Sequence, residues 1–272
     1  MDPKVKSAME QLESGVQQYM TSESYTTYLA TMSKFHNYSF YNIMLILMQN
    51  PDATHVAGYR AWQTNFHRYV KKGEKGIRIL APAPFKAHRK NADGEDEEIL
   101  VPNFRAVYVW DVSQTEGEEL PSVDVDRLAG NIENYTALLD GVKAMAPYPV
   151  ELGDTGGTCC GYCSWNDKKI MIQSGMSEVQ TVKTAIHELA HSLVHNPECK
   201  DAEQDKDTRE VQAESIAYVV CNHFGLDTGD YSFPYVASWS GDKSLKELRK
   251  SQDVICKTAH MIIETLNQSL AA

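Results

Sequence analysis

The chain has 272 residues, 42% of them hydrophobic and 23% charged, with a formal net charge of −11. That composition is ordinary for a globular protein of one large or two medium domains. The longest purely apolar run, Ile43 to Met48, is too short to span a bilayer, and the first residues lack the apolar core of a signal peptide, so a cytoplasmic protein with no membrane partner is expected.

Residues 4–50 read as helices. Val5, Met9, Leu12 and Val16 keep helical spacing, and Phe40–Met48 is an apolar segment ended by Pro51. Tyr59–Tyr69 reads as one short helix. Val70–Ala81 reads as two strands around Lys71-Lys-Gly-Glu-Lys-Gly76, a turn with two glycines. Ile79–Phe85 and Ile99–Trp110 read as strands joined by an acidic loop. The pattern predicts an α+β domain over residues 1–112 and an acidic linker over 113–130. A second domain, 131–272, opens with a helix marked by Ile132, Tyr135, Leu138, Leu139 and Val142. Tyr148–Leu152 follows as a strand. Tyr162–Trp165 and Lys169–Ile172 flank Asn166-Asp167-Lys168 as a hairpin. An exposed strand there suits an extended peptide held by strand addition.

The charge is unevenly spread. From Tyr59 to Lys90 nine Lys or Arg stand against one acid, Glu74, so this window is +8 and the remainder −19. Tyr59, Trp62, Phe66 and Tyr69 interleave with Arg60, Arg68, Lys71, Lys72, Lys75 and Arg78. Aromatics that stack bases beside cations that neutralise phosphates are the means of holding a single strand, with Trp62 as the platform. The same aromatics at helical spacing also suit a core under a solvated basic surface, the reading composition alone favours. Of six cysteines, Cys159, Cys160 and Cys163 cluster, but no second pair completes a structural zinc site, so reduced thiols are expected.

His187-Glu188-Leu189-Ala190-His191 is the most informative stretch. Ser177 to Gln180 fits a capping box. Val179, Val182, Ile186, Leu189, Ala190 and Leu193 then recur at helical spacing, and Asn196-Pro197 is the stop. Histidines at i and i+4 share a helical face and can grip one Zn²⁺, and the intervening glutamate can act as general base on a water. A third ligand is needed. A second helix from Asp207, ending at Gly225, carries Glu210 and Glu214 one turn apart, one to ligate and one to orient a histidine. If Asp207 caps that helix, Glu210 completes the capping box and Glu214 becomes the ligand. His195 continues the histidine spacing. It reads as a helix-end residue, because the third histidine of a metzincin pattern falls at position 197, which is Pro197. Tyr218, His223, Tyr231 and Tyr235 are candidates for an oxyanion donor.

The order His-Glu-x-x-His, then Glu-x-x-Ala-Glu-x-x-Ala, resembles the ImmA/IrrE group of zinc peptidases. That resemblance implies Glu210 as third ligand, with Glu214 in place of the usual Asp or Asn. Tyr41-Asn42, Ala57-Gly58-Tyr59-Arg60-Ala61-Trp62-Gln63, Val70-Lys-Lys-Gly-Glu-Lys-Gly-Ile77, Ile79-Leu-Ala-Pro82 and Val109-Trp-Asp-Val-Ser-Gln-Thr-Glu-Gly117 resemble the N-terminal domain of ArdC-type antirestriction proteins. This implies a single-stranded-DNA-binding α+β domain followed by a zincin-like metallopeptidase domain, protecting conjugatively transferred DNA. It favours Arg60, Trp62, Arg68, Lys71, Lys72, Lys75 and Arg78 as DNA contacts. It points to Tyr235, in Tyr-Val-Ala-Ser-Trp239, as a catalytic donor beside Glu188, with burial in the core as the alternative role. Three functions remain distinct: a peptidase localised by DNA, a DNA shield with a non-catalytic metal, and a regulator that cleaves a repressor. The protein substrate is not specified by the sequence.

Overall fold

Val5, Ala8, Leu12 and Val16 are buried and share one helical face, which makes α1 (Pro3–Tyr19) amphipathic. α2 (Ser22–Lys34) and α3 (Phe40–Gln49) follow, and Ile43 to Leu47 are all buried. The computed structural model describes residues 3–20, 22–90, 96–120, 132–157, 159–197, 204–226, 236–241 and 243–271. The expected linker lies outside the described residues from 121 to 130. The chain divides into two compact units, Met1–Val16 with Tyr41–Leu120 and Gln17–Phe40 with Pro121–Ala272. Helices with mostly antiparallel strands make the fold α+β.

The first unit contains β1 (Val56–Gly58), α4 (Tyr59–Asn65), β2 (Arg68–Val70), β3 (Ile77–Pro82), β4 (Phe85–Lys90), β5 (Asp96–Val101), β6 (Phe104–Asp111), a 3₁₀ turn (Val112–Gln114) and β7 (Thr115–Gly117). β6 is the centre of an antiparallel sheet ordered β1-β6-β3. The strands either side of the 71–76 turn do not pair with each other. β2 pairs with β7 and β3 with β6. The expected helix over 59–69 ends at Asn65, and His67, at φ 51°, turns the chain into β2. The expected strand 79–85 breaks between Pro82 and Phe85, and 99–110 breaks at Pro102, because proline offers no N–H to a ladder. Asn42 ties α3 to β3: its Nδ2 donates to the Leu80 carbonyl and its Oδ1 accepts from the Leu80 N–H, both at 2.9 Å.

The second unit contains α2, α5 (Ile132–Met145), β8 (Val150–Gly153), β9 (Gly161–Ser164), β10 (Lys169–Gln173), α6 (Glu178–Val194), α7 (Lys206–His223), α8 (Val236–Gly241) and α9 (Leu245–Ala271). β10 lies between a parallel β8 and an antiparallel β9, so β9 is an edge. α6 packs on β9 and β10 and against α5 and α7, while α9 covers α5 and α7. α2 joins this unit through buried polar bonds. Tyr25 Oη lies 2.8 Å from Ser215 Oγ, Ser33 Oγ donates to Asn222 Oδ1 at 2.6 Å, and Gln252 Nε2 donates to Tyr25 Oη at 3.2 Å. Gln17–Phe40, with buried Tyr25, Tyr28, Leu29 and Met32, thus groups with the second unit although it precedes the expected boundary after residue 112. Among the described residues no helix is long and apolar enough to cross a membrane. The described cysteines, Cys159, Cys160, Cys163, Cys221 and Cys256, are free thiols.

Candidate metal centre

Ser177 starts α6 by accepting from the Gln180 N–H at 3.3 Å. The Gln180 side chain donates to Thr184 Oγ1 instead of returning to the cap, so half of the anticipated capping box forms. α6 buries Val182, Ile186, Leu189 and Ala190, which leaves His187 and His191 facing a cleft of about 590 Å³. Asp205, not Asp207, caps α7, accepting from the Thr208 N–H at 2.9 Å and from Thr208 Oγ1 at 2.8 Å. Glu210 takes no part in that cap and lines the same cleft.

The helices bring three donors together. His187 Nε2 and His191 Nε2 are 3.1 Å apart, and Glu210 Oε2 is 3.7 Å from each. One donor atom from each residue falls within 4.8 Å of the others. Glu214 occupies a different place, with Oε2 3.1 Å from His187 Nδ1 and Oε1 3.7 Å from Lys183 Nζ.

Hydrogen bonding fixes the state of both rings. A carboxylate only accepts, so His187 Nδ1–H donates to Glu214 and the lone pair sits on Nε2. For His191 the chain is longer. Gln212 Nε2 donates to Ser251 Oγ at 2.8 Å, which presents Oε1 to His195 Nε2 at 2.9 Å. His195 Nε2 is therefore the donor and its Nδ1 an acceptor, 2.9 Å from His191 Nδ1. His191 Nδ1 then carries its hydrogen, and its Nε2 lone pair also faces the cleft. His195 is 1% exposed and holds His191, a larger part than ending a helix. Its i+4 spacing from His191 was the available signal; Gln212 gave none.

Two lone pairs at 3.1 Å beside a carboxylate call for a cation or a proton between them. Burial disfavours a charged His187, but the carboxylates of Glu210 and Glu214 outweigh it and push its pKa up to about 9. The same two histidines hold the Glu210 carboxyl far below the usual range. Glu188 behaves oppositely. It is 7% exposed, and burial raises its carboxyl above the ordinary value although it accepts from the Cys163 N–H. β9 reaches it because Gly161 has no side chain: a Cβ there would lie 2.7 Å from Thr184 Cγ2, 3.0 Å from the Met171 carbonyl and 3.2 Å from Glu188 Cγ. Lys206 and Arg209, which the sequence did not flag, also line the cleft. Tyr218 is buried in α7, His223 stands at the far end of that helix beside His36, and Tyr231 and Tyr235 lie outside the described residues.

The aromatic and basic residues of the first unit are placed differently from expectation. Trp62 is no surface platform: it is 1% exposed, and its Nε1 donates to the Trp110 carbonyl at 2.9 Å. Its apolar area and its one donor are both better satisfied in the core than in water. Arg68 braces β7, donating to Thr115, Gly117 and Glu118, and Arg78 donates to Gln11 Oε1 at 2.7 Å. The basic end of β4 faces the acids of β5, with Lys86 Nζ 2.7 Å from Glu98. Arg60, Lys71, Lys72 and Lys75 remain exposed. An aromatic row runs along β6, where Phe104, Tyr108 and Trp110 share a face by strand periodicity. Phe104 and Tyr108 are exposed, and the exposed Tyr59 has its ring centre 5.8 Å from that of Trp110. Gly76 brings the basic turn against this row: a Cβ on it would lie 2.9 Å from Trp110 Cζ2 and 3.0 Å from Tyr108 Cβ. Lys4 Nζ lies 5.7 Å from the centre of the Tyr108 ring.

Residues 4–110 match the family described as the N-terminal domain of anti-restriction factor ArdC. An uncharacterized protein of Bacillus anthracis is 27% identical over 98% of this chain; the chain spans 52% of that relative's length, about half. Crystal structures of the antirestriction protein ArdC from plasmid R388 share the fold. The metal-free form gives a TM-score of 0.53 at 19% identity and the Mn(II)-bound form 0.51 at 18%, each covering 85% of this chain and 84% of theirs.

Proposed function

We propose, from the match of residues 4–110 to the ArdC N-terminal domain, that this is a chain of ArdC type whose second unit is a zinc peptidase and whose first is a single-stranded-DNA clamp. The combination would serve an antirestriction role in the cytoplasm. The observation that carries the peptidase reading is the convergence of His187, His191 and Glu210 beside the buried Glu188. Two imidazoles and one carboxylate are a donor set that suits Zn²⁺, and the facing lone pairs require positive charge. The R388 protein of this fold binds Mn(II), which supports a divalent ion here. Such an ion supplies Lewis acidity and brings the pKa of water toward about 7.

The chain's own residues do the rest. Glu214 and His195 engage the Nδ1 atoms of His187 and His191, which turns both Nε2 atoms toward the cleft. Glu188, whose carboxyl burial raises above its ordinary value, takes the proton of the attacking water and hands it to the leaving amine. The edge strand β9 lines the cleft and offers its backbone to an extended peptide. Arg209 and Lys206 face the same space and supply positive charge for the developing oxyanion. In the first unit Tyr59, Tyr108 and Phe104 take the stacking part first read into Trp62, with Arg60, Lys71, Lys72 and Lys75 at the phosphates.

Elemental analysis and zinc titration test the ligand set. His187→Ala and Glu210→Ala should each bind one equivalent of zinc less than the wild type. Glu214→Gln should keep that equivalent about 10–100-fold more weakly, because Glu214 only orients His187. Full zinc content in His187→Ala would refute the assignment, and loss of zinc only in Glu214→Gln would exchange the two glutamates.

A further inference from the structure

A second group of donors lies in the same unit. His36 stands in the turn between α2 and α3, and His260 and Glu264 stand one turn apart on α9. His36 Nδ1 is 3.3 Å from His260 Nδ1 and 3.8 Å from Glu264 Oε1, and one donor atom from each residue falls within 4.8 Å of the others. Zn–N bonds of about 2.0–2.1 Å in a tetrahedral shell separate neighbouring ligand atoms by about 3.3 Å. The spacing matches that shell, and it parallels the 3.1 and 3.7 Å found among His187, His191 and Glu210.

The surroundings hold this arrangement in place. The Tyr38 N–H donates to the Phe35 carbonyl at 2.8 Å, which closes the turn around His36. Cys256 Sγ, one helical turn before His260, donates to the Tyr38 carbonyl at 3.3 Å and pins the turn to α9. From the other side His223 packs its ring edge-on to His36 with centres 4.7 Å apart. A carbonyl only accepts, so His223 Nδ1–H donates to Ser33 O at 3.1 Å and fixes that ring. His36 is buried, whereas the Glu264 side chain is 44% exposed, which leaves a way in for an ion. Two imidazole nitrogens at 3.3 Å can also share one proton, an arrangement that needs no metal. Glu264 suits either occupant, as third ligand to an ion or as counter-charge to the proton, so zinc binding is the observation that separates them.

We propose that His36, His260 and Glu264 form a second binding site for a divalent transition-metal ion of the zinc type, separate from the His187 cluster. Its three members include no counterpart of Glu188, since Glu264 is itself a ligand, so its role is to lock the α2–α3 turn onto α9.

Zinc titration of the full chain, with Zn²⁺ alone as the probe, is done in the His187→Ala background. That background separates this proposal from the peptidase reading. His187→Ala should still bind one equivalent and gain thermal stability with zinc. Adding His260→Ala or Glu264→Gln should remove that equivalent and the zinc-dependent rise in Tm. Glu264→Gln changes a half-exposed group on a long helix, and a circular dichroism spectrum matching that of metal-free His187→Ala verifies its fold. Cobalt(II) substituted into His187→Ala should give visible absorption that vanishes in the same double variants. Unchanged zinc stoichiometry in the folded Glu264→Gln and His260→Ala double variants, or no zinc at all in His187→Ala, would overturn the second site.

Discussion

His191 shows how much of a site can rest on a residue that touches nothing reactive. Its usable lone pair depends on His195, whose tautomer depends on Gln212, whose amide is turned by Ser251. His195→Ala should therefore weaken zinc binding at the His187 cluster about 10–100-fold without removing any ligand, read by competition with a chromophoric chelator. An affinity equal to wild type would mean that the His191 ring is held by packing alone. Trp62 carries the opposite lesson. Buried, and bonded to the Trp110 carbonyl, it belongs to stability. Trp62→Ala should cost about 3–5 kcal/mol of folding free energy in denaturant titrations, whereas Tyr108→Ala should leave the midpoint nearly unchanged.

At the scale of elements, the site depends on where α7 begins and how close β9 comes. Burial raises the Asp205 carboxyl, but Lys243 and the two Thr208 donors outweigh it and lower its pKa to about 2. The folded value lies below the ordinary 3.8, so the cap stabilises α7 above that pH and its contribution disappears as pH falls through about 2. Asp205→Ala should cost about 0.5–2 kcal/mol at neutral pH. The gap from wild type should close between roughly pH 4 and pH 2 in acid titrations followed by circular dichroism. A gap that persists at pH 2 would place the effect elsewhere. Gly161→Ala should push β9 from α6 and lower both stability and cleavage. Thr184→Ser, which removes the nearest contact at 2.7 Å, should restore part of the loss in the double variant. The sequence made α6 legible because Val182, Ile186, Leu189 and Leu193 recur at helical spacing behind the Ser177 cap. α7 was legible only through its glutamates: Val211, Ala213, Ser215, Ile216, Val219 and Val220 are buried around the helix, so no stripe marks its face. α2 groups with the second unit, which its own spacing does not announce, for a related reason. Amphipathic spacing reports that a face is buried, not which core buries it, and the Tyr25–Ser215 bond spans 190 residues. The turns at His67 and the breaks at Pro82 and Pro102 decided strand pairing that alternation alone left undetermined.

On the scale of the whole molecule, the proposed DNA clamp requires a chain of net charge −11 to bring a polyanion to a small basic area. Arg60, Lys71, Lys72 and Lys75 should then dominate the salt response. Affinity for labelled single-stranded oligonucleotides should fall steeply with salt, and the triple variant Arg60→Glu, Lys72→Glu, Lys75→Glu should flatten that slope. Tyr108→Ala should lose affinity, by about 1–3 kcal/mol if it stacks one base, with the slope kept. Equal binding by wild type and the triple variant would return the basic turn to a solvated surface. The peptidase proposal stands or falls independently on Glu188, the buried carboxylate beside the cluster that lies outside the metal donors. The most direct measurement compares new protein N-termini in cells producing the wild-type chain with those in cells producing Glu188→Gln. The variant should keep its zinc and its fold while every wild-type-dependent cleavage disappears. Cleavage by Glu188→Gln at the wild-type rate would contradict the account.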